Sequence, residues 1–331
     1  MTDASHPTEP RRPVTPRRST DFGSLPGRVR TPARPGPGPI ADEIARHLEL
    51  GLQRRTGGRL VGEHRGRGAG EGLDLDRIRP YEPGDDVRRI DWNATARSLV
   101  PQVREDVPDR QLTAWILIDT SASMHFGTGQ HRKADVAEGA AMVLGRAIVR
   151  RRDRLGTVTF GSTAAAAHLT PPSGGRRAMA RLAGALAVES PDEGGGRTSV
   201  RAALRTIAAS RTTGGLIVIV SDFRGPLDWR PELTTVAGRH SVLAVEVFDP
   251  HEEMLVDVGD VTLTDPETGQ TLRVDTGDDR LRQAFEAAST EDRRAVADAF
   301  QRLGIRHIRL STDGAWLAAL ARGLDSRGRP A

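Results

Sequence analysis

Apolar residues from about position 111 onward alternate between two patterns, one typical of buried strands and one typical of amphipathic helices. Uninterrupted apolar runs occupy 115–118 and 216–220, and such runs are typical of strands covered on both faces of a parallel sheet. Between them, residues 133–152 place Ala, Leu and Ile at helical spacing. This alternation predicts an α/β domain with a doubly wound, mainly parallel sheet over 111–324.

The same patterns set the expected bounds of the remaining elements. Strands are predicted at 155–160, 241–248 and 305–310, with an edge strand near 164–169, and helices at 176–188, 200–209, 231–238, 281–303 and 315–324. A hairpin insertion is expected within 257–275, where two alternating segments flank a turn. Residues 325–331 are expected to fray.

The first 39 residues differ from the rest of the chain in composition. They hold nine of the 21 prolines and few apolar residues, so they cannot bury enough surface to offset the entropy lost on ordering. We expect a disordered Pro/Arg-rich tail over 1–39, which is either a basic arm that contacts acidic partners or lipid headgroups, or a solvated leader. An amphipathic helix is predicted next, and it opens a small charged subdomain over 40–110. The apolar positions of that helix are Ile40, Ile44, Leu48 and Leu52.

The charge balance makes nucleic acid an unlikely partner. The sequence pI is about 10.5, yet the formal net charge is only +4. The tail alone carries that excess, with seven Arg against three acidic residues. No basic patch is interleaved with aromatic residues, so binding of nucleic acid or an anionic surface through the tail is the weaker alternative.

Missing residue types and patterns exclude several classes of protein. The sequence has no Cys, which excludes disulfides, thiolate catalysis and cysteine-based zinc sites. No apolar run approaches the length of a membrane span, and the first residues lack the apolar region of a signal peptide. We therefore expect a soluble, cytoplasmic protein.

Oxygen-bearing side chains follow the two most apolar strands. Asp119, Ser121 and Ser123 come directly after the first of these strands, and Asp222 directly after the second. Thr198 ends a Gly-rich loop and begins a predicted helix. Each of these residues alone could be a strand end or a helix cap. In an open parallel sheet, however, the carboxyl ends of the strands meet at one edge, and the five residues are expected to converge there.

The chemistry of these five residues suits a hard divalent cation. Two carboxylates and three hydroxyls form an all-oxygen set of the kind that Mg²⁺, or another divalent cation such as Mn²⁺, prefers. If one of the two carboxylates binds the cation through water, the cation remains undercharged and needs a further anion, which a binding partner can supply.

No catalytic constellation is evident in the sequence. Asp119 lacks the second Asp two residues later that phosphoaspartate hydrolases use for acid/base work. His125 and His131 lie downstream of the loop, but a lone His near a cleft is usually incidental. A metal-dependent hydrolase acting through the same site is therefore an alternative to a binding module.

A dense run of charged residues precedes the first strand of the predicted sheet. Its characteristic positions are Arg79, Tyr81, Pro83, Gly84, Asp85, Asp86, Arg88, Asp91, Trp92 and Arg97. A turn is predicted at Pro83-Gly84, followed by a short helix capped by Asp85 or Asp86. The expected apolar anchors are Ile78, Tyr81, Val87, Ile90 and Trp92. The charges form either an internal ion-pair network, with Asp85, Asp86 and Asp91 against Arg79, Arg88 and Arg97, or a docking surface.

This run, followed by Asp-x-Ser-x-Ser-Met at 119–124, resembles the bacterial domain-of-unknown-function family number 58 over roughly 40–324. The resemblance implies a von Willebrand factor A-like domain. In such domains the positions matching Asp119, Ser121, Ser123, Thr198 and Asp222 form a metal-ion-dependent adhesion site. Family members often carry a lysine near Lys133, the single lysine of this sequence, so Lys133 is an accessory candidate.

The resemblance also implies a function. It suggests a divalent-cation-dependent protein-binding module, an adaptor or co-chaperone whose partner is a MoxR-type AAA+ ATPase or a client of that ATPase. In this group of folds, the last ligand of the cation is commonly an Asp or Glu of the partner.

Overall fold

A computed structural model describes most of the protein that follows the predicted opening helix. The described residues are 75–106, 111–161, 167–187, 199–210, 214–265 and 267–325. The predicted tail at 1–39, the helix beginning at Ile40, residues 326–331 and Thr198 lie outside these ranges.

The charged run folds into a small antiparallel unit. Strand β1 (Leu75–Pro80) pairs antiparallel with β2 (Gln102–Asp106). A 3₁₀ turn (Val87–Arg89) and helix α1 (Trp92–Ser98) lie between them. The predicted turn at Pro83-Gly84 is present, with Gly84 at a φ of 112°, a backbone conformation that favours glycine.

The remainder alternates strands and helices as predicted. Its elements in sequence order are β3 (Thr113–Asp119), α2 (Lys133–Arg150), β4 (Arg154–Phe160), β5 (His168–Ser173), α3 (Gly175–Ala187), α4 (Val200–Ala209), β6 (Gly215–Ser221), α5 (Arg230–Ala237), β7 (Ser241–Phe248), β8 (Asp260–Thr264), β9 (Thr271–Asp275), α6 (Asp279–Arg302), β10 (Arg306–Ser311) and α7 (Trp316–Asp325).

Six strands form one sheet in the order β10-β7-β6-β3-β4-β5. All pairs are parallel except the one between β4 and the edge strand β5. The polypeptide moves outward from β3 through β4 to β5, then crosses over and moves outward through β6, β7 and β10. The order therefore reverses between β3 and β6, which places a crevice at their carboxyl ends. The predicted doubly wound, mainly parallel fold is confirmed.

Helices cover both faces of this sheet, which explains the unbroken apolar runs in its central strands. In β3, Ile116 and Ile118 pack beneath α2, α3 and α7, whereas Trp115 and Leu117 pack beneath α4, α5 and α6. All four side chains are buried. Because successive residues of a strand point to opposite faces, a strand covered on both faces must be apolar at every position.

One predicted strand is found with a later end, and another predicted element is confirmed. The edge strand is expected near 164–169, of which 162–166 lie outside the described residues, and β5 runs from His168 to Ser173 and includes Pro171 and Pro172. Proline lacks the N–H that a sheet ladder requires, which disfavours a strand in sequence patterns but is tolerated at a sheet edge. The expected hairpin is present as the antiparallel pair of β8 and β9. Among the described residues, no helix combines the length and hydropathy that crossing a membrane requires.

The buried centre of the sheet predicts a large difference between two leucine truncations. Leu117→Ala should lower the free energy of unfolding by about 2–5 kcal/mol, because the side chain is fully buried between two layers. Leu272→Ala on the exposed hairpin should change it by less than about 0.5 kcal/mol. Urea denaturation followed by circular dichroism measures both. Equal losses would contradict the assigned core.

Candidate metal centre

Asp119 ends β3, and its carboxylate is held by hydrogen bonds from the turn that follows and from the last residue of β6. Oδ1 accepts the backbone N–H of Ser121 at 3.0 Å, and Oδ2 accepts the hydroxyl of Ser221 at 2.6 Å. The side chain is buried. Its orientation is therefore fixed by the fold and does not depend on solvent.

Two serine hydroxyls connect Asp119 to the second carboxylate of the site. Ser121 Oγ and Ser123 Oγ lie 3.0 Å apart in a buried turn that follows β3. The hydroxyl of Ser121 opposes the rise in the pKa of Asp119, and the hydroxyl of Ser123 helps to lower the pKa of Asp222. The two serines therefore lie between the two carboxylates.

Asp222 follows β6 directly, and cationic Lys133 contacts it from α2. Asp222 Oδ1 accepts the backbone N–H of Arg224 at 3.1 Å, and Oδ2 accepts Lys133 Nζ at 2.7 Å. Lys133 is 0% exposed and also donates to Glu252 Oε1 at 2.8 Å. The predicted accessory residue is therefore in direct contact with the site.

The two carboxylates have opposite pKa shifts. Burial, reinforced by the neighbouring charge of Asp222, raises the pKa of Asp119 to about 7, although hydrogen bonds from Ser121 and Ser221 oppose the rise. Burial also disfavours the charged form of Asp222, but the ammonium group of Lys133 outweighs it and lowers the pKa of Asp222. Two acids this close repel each other when both are ionised, so a bound cation would stabilise the doubly charged pair.

The residues present fit a hard divalent cation. Four of the five predicted ligands lie together, and they offer two carboxylates and two hydroxyls. Within the described ranges, no group of three or more His, Asp or Glu side chains is arranged to hold a metal, so the candidate centre depends on the serines.

The fifth predicted ligand, Thr198, lies outside the described residues, but its neighbour can be placed. Ser199 caps α4, and its N–H donates to Gly161 O at 3.2 Å. A Cβ added at Gly161 would lie 3.5 Å from the nitrogen of Ser121. The start of α4 is therefore close to the turn that carries the serines.

Three residues that support this centre are not predicted by the sequence patterns. Ser221 holds Asp119, Glu252 holds Lys133, and Arg224 contacts Glu252 through an ion pair at 3.5 Å. Ser221 immediately precedes Asp222 at a predicted strand end, so position alone could have indicated it. Glu252 gives no local signal, because it lies 119 residues from Lys133.

A further carboxylate, Asp249, anchors the loop that follows the serines. It is fully buried after β7 and accepts the backbone N–H and the hydroxyl of Thr128, at 2.7 and 2.6 Å. It also accepts the hydroxyl of Thr312 at 2.7 Å, beyond β10. Burial opposes ionisation, but the hydrogen bonds from both threonines lower the pKa of Asp249. This carboxylate ties the site loop to the ends of two further strands.

Comparison with known proteins identifies the family. Residues 77–295 match the family model described as protein of unknown function DUF58. The chain belongs to the DUF58 family. The uncharacterized protein Rv1480 of Mycobacterium tuberculosis is 37% identical over 286 residues, which cover 86% of this chain and 89% of that protein.

Solved structures to which the chain is similar include two from bacteria. BatB from Bacteroides thetaiotaomicron is 16% identical with a TM-score of 0.42, over 64% of this chain and 97% of that one. A von Willebrand factor type A protein from Catenulispora acidiphila is 14% identical with a TM-score of 0.35, over 65% of this chain and 41% of that one. The α/β fold of this DUF58 protein rests on its own strand order, a mainly parallel six-stranded sheet between two layers of helices.

Acidic residues of the DUF58 charged run mainly organise the local backbone. Asp85 forms a two-pronged ion pair with Arg79, at 2.7 and 2.6 Å, and this pair lowers the pKa of Asp85. Asp86 caps the 3₁₀ turn through the N–H of Arg88. Asp91 caps α1 by accepting the N–H groups of Asn93 and Ala94.

Several apolar residues of the charged run are more exposed than the sequence predicts. Arg97 Nε donates to the backbone oxygen of Asn93. Three expected anchors are exposed, namely Ile78 at 50%, Val87 at 60% and Trp92 at 71%. The expectation that they are anchored is wrong, because a two-stranded sheet with one short helix has too little surface to cover them. Whether the run serves docking as well as structure stays a prediction.

The raised pKa of Asp119 predicts that this residue destabilises the metal-free protein above neutral pH. Folded Asp119 keeps a proton up to about pH 7, whereas unfolded Asp releases it near pH 4, so its contribution to stability falls as pH rises across that window. Asp119→Asn should therefore raise the free energy of unfolding by about 4 kcal/mol at pH 8 and by less than about 1 kcal/mol at pH 4. Urea denaturation in EDTA at both pH values measures this difference.

Asp298→Asn provides the matched control, since it removes an exposed carboxylate on α6. It should leave the pH dependence of stability unchanged. A destabilised Asp119→Asn variant at pH 8 would contradict the described burial of that carboxylate.

Proposed function

We propose that this DUF58 protein is a divalent-cation-dependent protein-binding module. The observation that carries the proposal is the grouping of Asp119, Ser121, Ser123 and Asp222, buried together at the carboxyl ends of two adjacent strands. A cation beside these carboxylates would stabilise the ionised form of Asp119, which burial and the charge of Asp222 disfavour. Mg²⁺ suits that role because it accepts oxygen ligands and keeps part of its water shell.

In this proposal the cation would bind a carboxylate of another protein. One acid of the centre, Asp222, is already neutralised by Lys133. Asp119 is then the only protein carboxylate of the described centre left to balance a divalent charge, and a partner's Asp or Glu would complete the balance. The residues of this protein hold and orient the ion, and no proton transfer or bond cleavage is assigned to them.

We further propose a MoxR-type AAA+ ATPase, or a client of that ATPase, as the partner. The support is membership of the DUF58 family, together with the resemblance of its members to adaptors of such ATPases. The protein would act as an adaptor or co-chaperone, with the metal bridging to an acidic side chain of the partner.

Capture of a purified MoxR-type ATPase from the same genome tests this function. The immobilised full-length protein should retain the ATPase in Mg²⁺ and release it in EDTA. Asp119→Asn should weaken capture by about tenfold or more, because it removes the charged ligand of the cation but keeps the shape of the side chain. Surface plasmon resonance provides the affinities.

Asp298→Asn is again the control and should bind as the wild type does. Capture that survives both EDTA and the Asp119 substitution would contradict the metal bridge. Absence of capture in Mg²⁺ would contradict the choice of ATPase. Turnover of a phosphoester that is lost in Asp119→Asn would favour the metal-dependent hydrolase instead.

A further inference from the structure

Lys133 occupies an unusual position for a lysine. Its side chain is 0% exposed, at the first residue of α2, and its ammonium group lies 2.7 Å from Asp222 Oδ2 and 2.8 Å from Glu252 Oε1. A buried ammonium must be paired, and here two carboxylates pair it. Burial would lower the pKa of Lys133, but these two partners outweigh it and raise the pKa, so the group stays charged.

The ion pair leaves few free acceptor positions on Asp222. Oδ2 accepts from Lys133, and Oδ1 accepts from the backbone N–H of Arg224. Ser123 also contacts this carboxylate. Asp222 therefore keeps at most one further acceptor position, and Lys133 neutralises its charge beside the serine that would contact a metal.

Charge balance shows what the lysine does to the centre. The connected side chains are three carboxylates, Asp119, Asp222 and Glu252, and two cations, Lys133 and Arg224. A divalent cation bound beside them leaves one positive charge in excess. Without Lys133, the same cation would be neutralised by the protein alone.

We propose that Lys133 is a built-in counter-cation that weakens the intrinsic affinity of the centre for divalent metal and so makes metal binding depend on an anionic ligand from the partner. The inference rests on the proposed function, because it concerns the same centre. Its consequence is coupling, in which metal and partner carboxylate bind tightly together and weakly apart. Lys133 acts through Asp222 and Glu252, so it is a positioning and charge-setting residue.

A set of three variants of the full-length protein tests the role of this charge. Lys133→Met removes one positive charge while keeping a long side chain, and Glu252→Gln removes one negative charge. The double variant Lys133→Met/Glu252→Gln removes one of each and keeps the total charge of the wild type. Electron paramagnetic resonance of free Mn²⁺ measures affinity for the metal alone, and circular dichroism checks folding.

The proposal predicts an order of Mn²⁺ affinities. Lys133→Met should bind Mn²⁺ about tenfold or more tightly than the wild type, Glu252→Gln more weakly, and the double variant within about threefold of the wild type. Sodium acetate, compared with chloride at equal ionic strength, should strengthen Mn²⁺ binding by the wild type more than by Lys133→Met. Should Lys133→Met fail to fold, the comparison of Glu252→Gln with the double variant still tests the lysine, because the double variant must bind Mn²⁺ more tightly.

The possible failures are distinguishable. If the wild type binds Mn²⁺ and a folded Lys133→Met variant binds it equally or more weakly, the proposed role of the lysine is wrong and the metal centre stands. No Mn²⁺ binding by any variant, with or without acetate, would overturn the metal centre and the inference together. Binding that persists in Asp119→Asn would place the metal elsewhere.

Discussion

The close approach of two buried carboxylates is the constraint on which the functional edge of this protein depends. Asp119 and Asp222 end neighbouring parallel strands, and the sheet brings them together at the point where strand order reverses. Neither carboxylate is solvated, so the fold must compensate for their charges by other means. Lys133 compensates for the charge of Asp222. The raised pKa of Asp119 shows that the charge of this second carboxylate is not fully compensated.

The surrounding loops maintain this arrangement through hydrogen bonds from three directions. Ser221 fixes Asp119, Glu252 fixes Lys133, and Asp249 fixes the loop that contains Thr128. Glu253, next to Glu252, pairs with Arg293 of α6 and with Arg309 of β10. The segment after β7 therefore links the candidate centre to the far edge of the sheet. Such an arrangement holds ligands in place before a cation or partner arrives, which lowers the entropic cost of binding.

Much of the fold could be predicted from the sequence because its signals are local. The apolar runs of β3 and β6 and the polar residues that end them identify buried parallel strands and place Asp119 and Asp222 at one edge. Strand β5 extends beyond the predicted edge strand, because its two prolines are typical of a loop. Trp92 is exposed although the sequence predicts an anchor, because an aromatic residue among charged residues is typical of one.

The ion pairs of the centre could not be predicted in the same way. Lys133 and Glu252 meet only because β3 and β7 lie on either side of β6, and no spacing in the sequence encodes that contact.

Anomalous scattering from crystals grown with Mn²⁺ and acetate would show whether the oxygen cluster at the end of β3 binds a divalent cation. We expect an anomalous peak within bonding distance of the hydroxyls of Ser121 and Ser123 and close to Asp119. Crystals saturated with Mn²⁺ that show no peak there, or a peak only at another place on the protein, would contradict this expectation.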